Sequence, residues 1–158
     1  MRSLIAIILI TFANITVAQG IDTNEGYYYP KVTSQEAFNR VLLTSPKADK
    51  DVRTGFATSI TLAQLAAPES PRYVIFAKGG DAEKLVIIAL DDQVFLTLYR
   101  ARAVLAQLTS NLRGNNFLGK QDLKDEGTFY DLLQLMQFKT LVISDGATWA
   151  HRVTFAPE

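Results

Sequence analysis

A chain of 158 residues with 16 basic and 16 acidic side chains, one histidine and no cysteine has the length for one domain around one core. Its balanced charge gives no electrostatic basis for nucleic-acid binding. Disulfides, thiol redox chemistry and cysteine–zinc sites are excluded, a single histidine leaves little to ligate a metal, and no cofactor is expected.

Residues 1–18 read as a signal peptide. Met1-Arg2-Ser3 is a short cationic start, Leu4 to Ile10 is apolar, and Thr16-Val17-Ala18 supplies the small residues of a cleavage site. Thr11, Asn14 and Thr16 interrupt the apolar run, which falls short of the about 20 residues a spanning helix needs. The alternative is an uncleaved anchor. With cleavage, the expected location is the periplasm or the exterior, with no stable membrane span left. Residues 19–31 read as a flexible leader, polar to Gly26 and ending in Tyr27-Tyr28-Tyr29-Pro30, an extended segment to be laid on the core or to face a sugar or a partner. Residues 32–158 form the expected single domain.

Thr33-Ser34-Gln35-Glu36 has the pattern of a capping box, with Thr33 as cap and Glu36 reaching back. It predicts a helix burying Phe38, Val41 and Leu42 and stopping before Pro46. Val52 to Thr58 reads as a strand. A short helix near Leu62–Ala66 follows, with Thr61 and Gln64 as its capping pair, and Pro68 and Pro71 end it. Arg72 to Ala77 and Lys84 to Leu90 are two strands joined by a glycine-containing hairpin, and their near-continuous apolar runs predict cover on both faces.

Asp91 or Asp92 is placed to cap a long helix over about Val94–Leu112, whose apolar stripe is Leu98, Ala101, Leu105, Leu108 and Leu112. Gly114 ends it, and a polar loop runs to Gly127 with Phe117, Leu118 and Leu123 as tethers. Thr128 caps a further helix with Asp131 in its first turn and Phe129, Leu132, Leu133 and Met136 on its buried face. Lys139 to Ser144 and Thr148 to Phe155 form a last hairpin about Asp145-Gly146. The expected fold is therefore α+β: a largely antiparallel sheet of about five strands, two hairpins among them, packed with three to four helices. Phe76, Ile87 and Leu105 are expected in its core.

No complete catalytic motif is present. Ser144, Asp145 and His151 are the residue types of a serine triad. With the turn centred on Asp145-Gly146, Thr140 opposes His151 and Val142 opposes Trp149, which leaves Ser144 roughly 13 Å from the imidazole. With the turn on Gly146-Ala147 the two stand on a diagonal of about 7–8 Å, and neither arrangement gives the hydrogen bond from nucleophile to base that a triad needs. His151 is expected half-buried beside Trp149. Asp122, Asp125 and Glu126 lack the spacing and central glycine of a calcium loop. Lys78-Gly79-Gly80-Asp81 lacks the glycine spacing and following helix of a phosphate loop.

Tyr99-Arg100-Ala101-Arg102 is the polar patch of most interest. Arg102 borders the stripe of Leu98 and Leu105, while Arg100 lies on the far side of the helix. A cation there either pairs with a carboxylate, for which Asp91, Asp92 and Asp145 are available, or binds an anionic ligand. The candidate ligand-binding residues are Arg102, Arg100, Asp91, His151 and Trp149, with no catalytic residue assigned.

Arg72-Tyr73-Val74-Ile75-Phe76-Ala77-Lys78-Gly79, Ala82-Glu83-Lys84-Leu85, Thr97 to Ala106, and the closing Ser144-Asp145-Gly146 and Trp149-Ala150-His151 carry a resemblance. They resemble a family of small exported alphaproteobacterial proteins often labelled molybdopterin-guanine dinucleotide biosynthesis protein A, over about Val52 to Phe155. The label would imply a guanylyltransferase. That enzyme's opening strand and basic glycine-rich loop have no counterpart here, so the resemblance transfers no catalytic residue. The expectation is a non-enzymatic exported binding or accessory module of the cell envelope, meeting an envelope protein or a small ligand. A transferase or hydrolase with a site around Arg102, Asp91 and His151 is the alternative. A structural partner that forms a homodimer through its sheet is the third reading.

Overall fold

The computed structural model describes residues 24–40, 48–91, 94–113 and 127–155. The signal segment, Val41, Leu42, Pro46, Asp92, Gly114 and the loop with Phe117, Leu118, Asp122, Leu123, Asp125 and Glu126 lie outside them, as does the Leu112 side chain. In chain order the elements are β1 (Ser34–Phe38), α1 (Lys50–Leu65), β2 (Tyr73–Lys78), β3 (Lys84–Ala89), α2 (Leu98–Arg113), α3 (Phe129–Leu135), β4 (Thr140–Ser144) and β5 (Ala150–Phe155). They make an α+β fold on one five-stranded sheet of order β1-β5-β4-β3-β2.

The sheet is mixed rather than largely antiparallel. β2 with β3 and β4 with β5 are antiparallel, but β3 with β4 and β1 with β5 are parallel. The parallel β3–β4 pair follows from α2 and α3 intervening, since a parallel partner needs a crossover rather than a tight turn.

On one face, Ile75, Leu85, Ile87, Leu141, Ile143, Val153 and Phe155 pack beneath the helices and form the main core with Ala57, Ala101, Leu105, Leu108, Phe129, Leu132 and Leu133. On the other, Val86, Val142 and Ala150 meet Tyr29, with Tyr28, Val32, Phe76 and Ile88 packed around them. The two-sided cover read from the apolar runs is therefore present at β3, while in β2 Ile75 alone is buried and the rest of the strand is half-buried. The tyrosine segment supplies part of it: Tyr29 is buried, Tyr28 packs on Phe76, and Tyr27 stands out in solvent. Phe76 is half-buried on this second face, whereas Ile87 and Leu105 lie in the main core.

Three element assignments are corrected. The stretch after Thr33 is strand, not helix. The capping-box letters are present, but pairing with β5 gives this edge its backbone bonds, and both Thr33 N and Thr33 Oγ1 donate to Ala150 O. Helix propensity and cap signals are local, and tertiary pairing overrides them. The strand expected over Val52–Thr58 is the first half of α1. Asp49 is its N-cap, accepting from Val52 N at 2.9 Å, and Arg53, Phe56, Ala57 and Ile60 recur at helical spacing on its inner side. The short helix near Leu62 is the end of that same α1, and Thr61 does not cap it: its hydroxyl donates to Ala57 O and Ile75 O.

Two boundaries also move. α2 starts at Leu98, and Val94 and Phe95 form a buried turn before it. Thr97 Oγ1 accepts from Arg100 N at its start, whereas Asp91 uses its backbone carbonyl to receive Val94 N. The last hairpin has a five-residue loop between its strands instead of a two-residue turn, because Asp145 Oδ1 gathers the N–H groups of Ala147, Thr148 and Trp149. His151 therefore pairs with Ile143, not Thr140. α3 forms as read: Thr128 and Asp131 close a reciprocal capping box, and Phe129, Leu132 and Leu133 are buried. No helix among the described residues is long and apolar enough to cross a membrane.

Candidate functional site

β1 sets the site. Its side chains alternate between half-buried and exposed, which directs Ser34, Glu36 and Phe38 to the helix-covered face. Parallel pairing puts Ser34 beside His151 and Phe38 beside Phe155. α2 brings Arg102 over Glu36, and the capping box that starts α3 fixes Tyr130 next to both.

Glu36 is the hub. Its Oε1 accepts from the Tyr130 hydroxyl at 2.9 Å and its Oε2 from Arg102 Nη2 at 2.9 Å. His151 Nε2 lies 3.5 Å from Oε1, close enough for charge attraction but without hydrogen-bond alignment, and that buried nitrogen has no hydrogen-bond partner among the described residues. The other ring nitrogen, Nδ1, is 2.8 Å from Ser34 Oγ. The Trp149 ring lies nearly parallel to the imidazole, at 7° with centroids 6.2 Å apart.

Burial alone would raise the Glu36 pKa. The hydrogen bonds from Tyr130 and Arg102, with the attraction of His151 Nε2 nearby, outweigh it and hold the carboxyl below the ordinary glutamate range. Burial, the Glu36 charge and the hydrogen bond to Glu36 push the Tyr130 phenol far up, so it remains a donor. The cluster is thus an ionised carboxylate held by a neutral phenol and a guanidinium.

A groove of about 590 Å³ opens beside this cluster. Phe38, Leu105, Ala106 and Phe129 give it apolar walls, and Thr109, Ser110 and Arg113 continue its lining along α2. Residues 102, 106, 109 and 113 share one helix face, so Arg102 and Arg113 stand about 16 Å apart at its two ends. A second cavity, of about 640 Å³, lies between α1, α2 and α3; its walls include Phe56, Ile60, Leu108 and Met136, and among the described residues no charged side chain lines it.

Of the five candidates read from sequence, Arg102, His151 and Trp149 converge around Glu36. Arg100 and Asp91 do not join them: Arg100 is exposed, about 200° round α2 from Arg102, and Asp91 is exposed after β3. The partner of Arg102 is Glu36 rather than Asp91 or Asp145, Asp92 lying outside the described residues. Ser144 is committed elsewhere, donating to Trp149 O and accepting from Gly146 N, and His151 is buried rather than half-buried. Ser34, Glu36 and Tyr130 are the members that the sequence reading missed. No apolar alternation marks this strand in the sequence, because Ser34 and Glu36 are polar, and the capping-box letters point to a helix instead.

Lys78-Gly79-Gly80-Asp81 makes no anion cradle. The Glu83 carboxylate already receives Asp81 N and sits where a side chain at Gly79 would project. Among the described residues no three acidic or histidine side chains gather to hold a metal ion. No family model matches the sequence, and neither a curated protein nor a solved structure matches it.

Proposed function

We propose that the chain is an exported, non-enzymatic binding module of the cell envelope, holding a small ligand in the groove between β1, α2 and α3. The observation that carries this reading is the pairing of apolar walls with one polar corner: Phe38, Leu105 and Phe129 beside Glu36, Arg102 and Tyr130. The groove's volume falls in the range of small-molecule sites, about 300–1,000 Å³, and apolar walls with a few placed polar groups are the usual make-up of such sites. The signal-like residues 1–18 support export.

Filling the groove tests this reading. Ala106 is exposed and lines it, so Ala106→Trp occupies the space without entering the core. Anilinonaphthalene sulfonate is expected to bind the native protein saturably and to lose that binding in Ala106→Trp, with the melting temperature retained. Equal dye binding by the two proteins would discard the groove.

The hydrolase reading has one specific observation in its favour, the 2.8 Å contact between Ser34 Oγ and His151 Nδ1, which gives a serine beside a base. Against it, Glu36 is engaged by Tyr130 and Arg102 and is not aligned on the imidazole. A fluorophosphonate probe separates the two. Labelling of Ser34 that disappears in His151→Ala would replace the binding module with a serine hydrolase, and absence of labelling leaves the binding reading in place. The guanylyl transfer implied by the family label finds no support: Gly79 and Gly80 lie in the β2–β3 hairpin, not between a strand and a helix.

A further inference from the structure

The charge around the groove narrows the ligand class. Among the described residues three charged side chains line it: Glu36, Arg102 and Arg113. Glu36 and Arg102 neutralise each other through their 2.9 Å bond, which leaves Arg113 as the net charge. Arg113 spends only Nε, in a 3.4 Å bond to Gly127 O, and among the described residues its two terminal nitrogens have no partner. Ser110 stands three residues earlier on the same helix face, within reach of the same head group. From Arg113 back to Ala106 the helix advances roughly 10 Å, along walls formed by Leu105, Ala106 and Phe129. Beyond that the apolar surface ends at the Glu36–Arg102 pair.

On the reading of this groove as a binding site, we propose that its ligand is a monoanionic amphiphile of medium length: a carboxylate held by Arg113 and Ser110, with an aliphatic or aryl body laid along α2 toward Glu36. The guanidinium offers two parallel N–H donors to a carboxylate, a geometry that a neutral or cationic head cannot use. The Glu36–Arg102 pair sets the length limit, because a longer apolar tail would desolvate two charges without pairing with them.

Calorimetric titration of the purified protein with octanoate, octanol and octyltrimethylammonium, each below its aggregation threshold, tests the class. Octanoate is expected to bind at least tenfold more tightly than octanol, and the cation more weakly than either. Arg113→Gln is expected to lower octanoate affinity about tenfold and to leave octanol unchanged. Tetradecanoate is expected to bind no more tightly than octanoate. Equal affinity for octanoate and octanol, or an Arg113→Gln variant that binds octanoate as the native protein does, would overturn the anionic class while the groove stands. Failure of all three probes, together with unchanged dye binding in Ala106→Trp, would overturn the groove itself.

Discussion

Arg53 and Arg102 both project from helices onto the core side of the sheet, and they are held in different ways. Arg53 is buried at 6% exposure and, among the described residues, faces no carboxylate within ion-pair distance; its guanidinium donates to the carbonyls of Ala48, Asp81 and Met136. Those carbonyls belong to the segment before α1, the β2–β3 hairpin and the C-terminal end of α3. One side chain therefore ties three remote pieces of backbone, with the negative end of the α3 dipole as part of its environment. Arg102 keeps 58% of its side chain exposed and makes one bond, to a carboxylate that itself faces a groove. A guanidinium sealed among carbonyls serves the fold. One left half in water and paired at the surface forms the rim of a cavity.

The sharpest way to break this contrast is to remove Arg53. Arg53→Ala leaves three carbonyls without their donor, and loss of a buried charged group's hydrogen bonds costs on the order of 3–5 kcal/mol. Urea unfolding at pH 7 measures it. Arg53→Lys is expected to recover little, since an ammonium cannot reproduce the fork that reaches three sites. A loss below about 1 kcal/mol for Arg53→Ala, the scale of a surface change, would show that these carbonyls find other donors.

Leu105→Ala comes next and sharpens the Arg102 side. Leu105 is buried among the core residues beneath α2 while its outer atoms border the groove. The truncation is expected to cost about 2–4 kcal/mol and to enlarge the groove. Dye binding should persist in this variant, because its walls at Phe38 and Phe129 remain. Thr128→Ala is smaller, about 1 kcal/mol, from loss of the capping box that starts α3 and positions Tyr130.

How much of this was legible in the sequence divides along the same line. Elements whose signals are local and unopposed could be read: β2, β3 and β4 from their apolar runs, and α3 from Thr128 and Asp131. The α1 and β1 regions were read the wrong way round. β-Branched residues and Gly55 made α1 look extended, and the capping-box pattern made β1 look helical; the long-range pairing of β1 with β5 decided the latter. That single error hid the hub of the site. Arg102, His151 and Trp149 were found because a cation beside an apolar stripe and a lone histidine beside a tryptophan stand out in any fold. Glu36 lies 66 residues from Arg102 and 94 from Tyr130, and only the tertiary structure brings them together. The Arg53 contacts were equally hidden, since carbonyl acceptors leave no sequence signal.

Arg102→Ala is expected to cost no more than about 1 kcal/mol, as exposed ion pairs do. That is a smaller structural role than a semi-buried pair would have, and far below Arg53→Ala. If the loss approached that of Arg53→Ala, the two arginines would be doing the same job and the contrast would fail.

The smallest effect concerns protons on Glu36. Its carboxyl sits below the ordinary glutamate range: burial works against this, but the bonds from Tyr130 and Arg102 and the attraction of His151 prevail. A depressed folded pKa means that the ionised form is favoured by the native state. Its stabilising contribution is therefore complete above the pKa of an unfolded glutamate, about 4.3, and is lost as pH falls through the lower folded value. The stability difference between the native protein and Glu36→Gln should be largest near neutrality and narrow toward pH 3. Asp145 is also held below the ordinary aspartate range: burial opposes this, and the bonds from Thr148, Trp149 and Ala147 outweigh it. Both proteins carry Asp145, so its titration cancels in the difference. The same comparison made on the Arg102→Ala background should give a flatter curve, because one of the groups that depress the carboxyl is gone. An unchanged curve would assign the depression to Tyr130 and His151 alone and leave the Arg102 guanidinium to the groove.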